Sequence, residues 1–128
     1  MAKDIRNLTY YYNLDREQYN LLLKILSNNK DDIYAQQILL VLYLLEHNLP
    51  MLLSLVKVGN LENKYIFVKP FINKLYSYIK EVIILTNYKQ YIRADGTVNV
   101  SKMARAQLLK DIKADRFLIA RILNKYKI

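Results

Sequence analysis

Two glycines and two prolines are nearly all the turn-forming backbone this 128-residue chain possesses. A sheet of short strands needs a turn signal every 8 to 12 residues or so, and four such residues cannot supply them. With 53% hydrophobic residues the chain is also too apolar for disorder. Long helices with short connections remain. A chain of this length fits one domain that buries roughly two thirds of its unfolded surface. The expectation is therefore an all-α, single-domain bundle of five or six helices over residues 1–128, with one small β-hairpin near 90–100.

Helix signals divide the chain. Asp15 followed by Gln18 makes a capping box, and Tyr19, Leu22, Leu23, Ile25 and Leu26 form an apolar stripe, predicting a helix over about 16–27. Asp31 or Asp32 caps the next. From Ile33 to Leu45 that helix is apolar nearly all round, which predicts a central, buried element. Asn48-Leu49-Pro50 opens a third helix, over about 50–58, with Gly59-Asn60 closing it in a left-handed cap. Tyr65 to Val68 reads as a short strand or an early helical turn. Lys69-Pro70 opens a fourth helix, to about Asn87. Asp95-Gly96 is favoured in two-residue hairpin turns, and Ser101 offers an N-cap for a helical segment reaching about Tyr126.

Charge is distributed unevenly over this framework. Residues 1–62 hold 6 Lys/Arg and 7 Asp/Glu, whereas residues 63–128 hold 14 and 4. The first part reads as a neutral helical scaffold and the second as a basic half. An asymmetry of this kind builds a local positive potential that attracts polyanions. Nucleic acid is the leading partner, DNA ahead of RNA. In the last segment Leu108, Ile112, Ile119, Leu123 and Tyr126 share one face of a helical wheel, while Lys110, Lys113 and Arg121 point away. Asp111 and Asp115 fall near the apolar side without a basic partner at i±3 or i±4. A break near Lys113 or Ala114 relieves this, with Asp115 as N-cap of a helix from Arg116 to Tyr126, giving a helix-turn-helix outline. Packing against a neighbouring element is the commoner fate of a helical phenylalanine such as Phe117. In the nucleic-acid reading it is instead a stacking or wedging surface among Arg93, Lys102, Arg105, Lys110, Lys113, Arg116, Arg121 and Lys125.

The run Tyr91 to Ala104, YIRADGTVNVSKMA, resembles the opening of the KilA-N domain, a module of phages and large DNA viruses related to the fungal APSES winged helix. In that family a strand ending in Arg leads to an Asp-Gly turn and then an Asn-x-Thr-Lys-like stretch that starts a helix. Arg93, Asp95, Gly96, Asn99, Ser101 and Lys102 occupy those places. The resemblance covers about a tenth of the chain and implies DNA binding by the hairpin and following helices.

Catalytic signatures are lacking. There is no Cys and no Gly-rich phosphate loop, and the one His, His47, sits at a helix end where carbonyl bonding is the ordinary role. Asp111 and Asp115 lack a third ligand for a metal, and Tyr10-Tyr11-Tyr12 reads as packing rather than as a nucleophile. The chain is expected to be no enzyme and to need no cofactor or metal. The longest apolar run, Ile38 to Leu45, is too short to span a bilayer, so no membrane partner and a cytoplasmic location, or the host cell if viral, are expected. Usage biased to Lys, Asn, Ile and Tyr is what an AT-rich genome encodes, pointing to a virus, phage or low-GC bacterium. The rival functions are a phage or viral inhibitor docking its basic face on an acidic protein, and a self-assembling homo-oligomer built on the apolar helices.

Overall fold

The computed structural model describes residues 14–62 and 69–128. Seven α-helices and one 3-10 turn account for about three quarters of them: α1 (Arg16–Asn28), α2 (Ile33–Leu44), α3 (Leu49–Glu62), α4 (Lys69–Asn87), the 3-10 turn Tyr88–Tyr91, α5 (Val100–Arg105), α6 (Gln107–Asp111) and α7 (Arg116–Lys125). The fold is all-α, as the scarcity of turn residues requires. The chain clusters into two compact units that meet within α4, one ending at Ile79 and the other running from Lys80 to Ile128. Tyr10-Tyr11-Tyr12 and the ambiguous Tyr65–Val68 lie outside the described residues.

In the unit ending at Ile79, local capping sets the helix starts. Asp15 accepts the Gln18 N–H at 2.7 Å while the Gln18 side chain accepts the Asp15 N–H at 3.0 Å, closing the expected capping box. Asp32 rather than Asp31 caps α2, accepting from the N–H groups of Tyr34 and Ala35. Its other oxygen accepts the Tyr78 hydroxyl at 2.5 Å and lies 3.3 Å from the Lys74 ammonium, tying the α1–α2 turn to α4. Burial opposes ionisation of Asp32, but the bonds from Tyr78, Lys74, Ala35 and Tyr34 outweigh it and hold the carboxyl below its ordinary value. Gln36 donates to the carbonyls of Leu26 and Asn29, satisfying the open end of α1.

Helix α2 is not the enclosed element its composition predicts. Only Ala35, Ile38 and Leu42 are fully buried, and the opposite face leaves Ile33, Leu40 and Leu44 64%, 58% and 72% exposed. An apolar helix buries only the faces its neighbours reach, and here α1 and α3 pack on one side. Helix α3 also departs from expectation: it starts at an Asn48 cap on Met51 and continues through Gly59 to Glu62. Glycine permits a left-handed stop without imposing one.

The helix ends explain how the chain manages with so little glycine. α2, α6 and α7 each finish in a Schellman motif whose left-handed residue is Glu46, Lys113 or Lys127, at φ 56°, 58° and 57°. The paired bonds are Glu46 to Tyr43 and His47 to Leu42, Lys113 to Lys110 and Ala114 to Leu109, Lys127 to Asn124 and Ile128 to Leu123. His47 follows Glu46 into the left-handed region at φ 63°. Its ring stands edge-on to Tyr43, with centroids 4.5 Å apart, and to Tyr19 at 6.4 Å.

From Lys80 onward the Asp95-Gly96 turn has three loop residues rather than two. The Arg93 N–H reaches the Thr97 carbonyl at 2.7 Å, the Gly96 N–H returns to the Arg93 carbonyl at 2.9 Å, and one antiparallel bridge joins Ile92 to Val98. Gly96 sits at φ 89° and Asp95 keeps a negative φ, which is the type I turn plus glycine of a three-residue loop. Asp95 turns back to accept from the Thr97 N–H and hydroxyl, and these bonds lower its pKa. The helix after the loop is capped by Asn99, not Ser101: Asn99 Oδ1 accepts the Lys102 N–H at 3.1 Å.

The continuous segment expected from 101 breaks twice. The second break is the anticipated one, with Asp115 capping Leu118 at 2.8 Å. The first, at Ala106 with ψ 142°, carries no sequence signal. Its basis is burial: Met103 and Ile112 are both fully enclosed, yet nine residues of straight helix would put them on opposite faces. Turning at Ala106 lets both point inward. The break at Ala106 raises the number of helices above the five or six expected.

Candidate nucleic-acid interface

The unit from Lys80 to Ile128 contains 11 Lys/Arg and 4 Asp/Glu, so it holds most of the excess charge of the basic half, at about the same density. All nine candidate residues lie in this unit and are exposed. Arg93 stands in the hairpin and Lys102 and Arg105 on α5. Lys110 is on α6, Lys113 on the turn, and Arg116, Phe117, Arg121 and Lys125 on α7. Helix α5 packs against both α6 and α7. Buried Met103, Leu109, Ile112, Ile119, Ile122 and Leu123 direct the apolar side of these helices inward.

The carboxylates of this unit leave most of that charge uncompensated. Asp115 is occupied by its cap, Asp95 by Thr97, and Asp111 accepts the Gln107 amide at 2.9 Å. Asp115 thus caps α7 and Asp111 braces α6. Glu81, only 4% exposed, takes the Lys125 ammonium at 3.0 Å and the Tyr126 hydroxyl at 2.6 Å. Lys125 is thus committed to a buried acid. The ion pairs among the described residues are Lys125–Glu81 and Lys74–Asp32. Arg93, Lys102, Arg105, Lys110, Lys113, Arg116 and Arg121 form none there.

Phe117 is 71% exposed and not packed. The buried stripe of α7 is Ile119, Ile122 and Leu123, which turns position 117 outward together with Arg121, one turn on. The Arg116 guanidinium stands 5.0 Å from the Phe117 ring centroid, within cation–π range. Lys113 projects from the left-handed turn. Half-buried Lys80 on α4 has its pKa lowered by burial and then by the Lys113 charge, against a smaller opposite effect of Asp115.

Two features of this region escaped sequence reasoning. The Glu81 anchor could have been found, because Val82, Ile83 and Ile84 beside it predict a helix enclosed on all sides, where a carboxylate needs a partner. The Lys80–Lys113 proximity had no signal, since 33 residues separate them. No protein-family model, curated protein or solved structure matches this chain.

Proposed function

We propose that the Lys80–Ile128 unit binds nucleic acid, DNA ahead of RNA, as a regulator or nucleoprotein component of a virus or phage. The observation that carries this reading is an exposed phenylalanine with a guanidinium 5.0 Å from its ring, in a unit whose seven exposed cations form no ion pair among the described residues. Cations of this kind neutralise phosphates, and an exposed ring offers a stacking or wedging surface to bases. The α6–turn–α7 pair has the outline of a helix-turn-helix, and the resemblance of residues 91–104 to the KilA-N opening belongs to the same reading.

Gel-shift titrations with single- and double-stranded DNA and RNA at two salt concentrations test it. Affinity for duplex DNA should fall with salt with a slope of about 0.9 per phosphate contacted. Changing Lys110, Lys113 and Arg121 together to Glu should abolish the shift and leave the fold intact. Phe117→Ala should weaken single-stranded binding by about 1 to 3 kcal/mol if the ring stacks on a base. A salt-insensitive affinity, or a triple variant that binds as well as the parent, would refute the proposal. Stoichiometric capture of an acidic protein with no shift of any nucleic acid would assign the surface to a protein partner instead.

A further inference from the structure

We infer that the outward face of α2 is a pairing seam for a second copy of this chain. Ile33, Gln37, Leu40 and Leu44 follow one another at intervals of four, three and four residues, the spacing of a coiled-coil seam, and all four are exposed. They lie opposite the buried stripe of Ala35, Ile38 and Leu42. In heptad terms Ile33 and Leu40 take the d positions, and Gln37 and Leu44 the a positions.

A second copy fits this face on two grounds. The first is charge. The excess positive charge of the chain lies in residues 63–128, where copies would repel, whereas residues 1–62, which hold α2, carry 6 Lys/Arg and 7 Asp/Glu. The flanking positions of the seam, Tyr34, Gln36, Val41 and Tyr43, are all neutral, and Gln37 both donates and accepts, so it can pair with its own symmetry mate. The second is area. Tyr43 is also exposed on α2. At on the order of 100 Å² for each of Ile33, Leu40, Tyr43 and Leu44, and as much again for exposed Gln37, one copy offers about 500 Å² from α2 alone. A standard interface takes about 800 Å² per partner, so this one belongs to the small, weakly associating class. The inference rests on the unit ending at Ile79 and stands independently of nucleic-acid binding.

Light scattering on the full chain at about 100 μM, above the weak end of affinities for interfaces of this size, should give twice the 15.2 kDa chain mass. Leu40→Glu with Leu44→Glu should return the single-chain mass without loss of helical circular dichroism, while the Lys110, Lys113 and Arg121 triple change leaves the doubled mass untouched. The chain has no cysteine, so Gln37→Cys reports directly: mild oxidation should link two copies, and Ser27→Cys, an exposed control, should not. A parent chain that stays monomeric overturns the inference, as does a double variant that remains dimeric. Ile33–Leu44 and Leu49–Val56 together are as apolar as a membrane span but meet at a bend of 116°. Flotation of monomeric protein with neutral phosphatidylcholine vesicles would therefore also overturn it, in favour of lipid. No single helix among the described residues is long and apolar enough to cross a membrane.

Discussion

Replacing Lys113 by glycine is expected to strengthen the fold and weaken polyanion binding at once. Lys113 holds φ 58° in the Schellman motif that ends α6. A side chain in that conformation costs roughly 1 to 2 kcal/mol through its Cβ. Glycine removes that cost but adds unfolded-state entropy worth about 0.4 to 1 kcal/mol. The net gain is then about 0.5 to 1 kcal/mol, or a few degrees in Tm for a chain of this length. Loss of the charge facing Lys80 acts in the same direction. Lys113→Ala separates the two causes, because it removes the charge and keeps the Cβ. Urea denaturation followed by circular dichroism should rank Lys113→Gly above Lys113→Ala, and equal stability of the two would refute the strain argument. In the salt titration the loss of one phosphate contact should lower the slope by about 0.9. An unchanged slope would remove Lys113 from the interface and leave the backbone conclusion standing.

Glu81→Gln should cost about 1 to 3 kcal/mol, the worth of hydrogen bonds to a charged group. It should also tighten nucleic-acid binding by releasing Lys125, and weaker binding in a folded variant would contradict the assignment of Lys125. The Tyr19 hydroxyl is buried without a hydrogen-bond partner among the described residues, and burial followed by the proximity of Tyr43 pushes its pKa up to about 12. Tyr19→Phe should therefore be stabilising by about 1 kcal/mol at neutral pH, and a destabilised variant would show that the hydroxyl does find a partner. Asp32 has a folded-state pKa below its ordinary 3.8, so its stabilising contribution is fully present above 3.8 and is lost as pH falls through the lower folded value. Carboxyl titration by NMR should place Asp32 below 3.8 and move it upward in Tyr78→Phe. A parent value at or above 3.8 would show that the bonds from Tyr78 and Lys74 do not outweigh burial.

Most helix starts were readable from the sequence, as were the ends of α1 and α4 near Asn28 and Asn87, whereas the left-handed stops were not. Asp15 with Gln18, and Asp115, announce their caps because a short acceptor side chain bonds N–H groups two or three residues on, whatever the rest of the fold does. Asn99 took the cap expected of Ser101 by the same chemistry, displaced by two residues. Those stops went unmarked because Glu46, Lys113 and Lys127 stand where glycine is the usual signal. Gly59 was misleading for the converse reason. A uniformly apolar run such as Ile33–Leu45 contains no face, so the exposure of Leu40 and Leu44 depends on which neighbours pack against α2. In the candidate interface the outward direction of Lys110 and Arg121 follows from the periodicity of α6 and α7 and was legible, whereas Lys113 projects from the left-handed turn between them. The fates of Lys125 and Phe117 depend on whether another helix supplies a partner, which Glu81 does for one and nothing among the described residues does for the other.

The single bridge between Ile92 and Val98 bears on how this chain can aggregate. Intermolecular sheets grow from rows of unpaired backbone groups along an exposed strand edge. Among the described residues no strand extends beyond that one bridge, and Arg93 places a charge beside exposed Ile92. The hairpin is too short to template a second chain. Despite more than half the chain being hydrophobic, its described residues therefore offer little edge for cross-β growth.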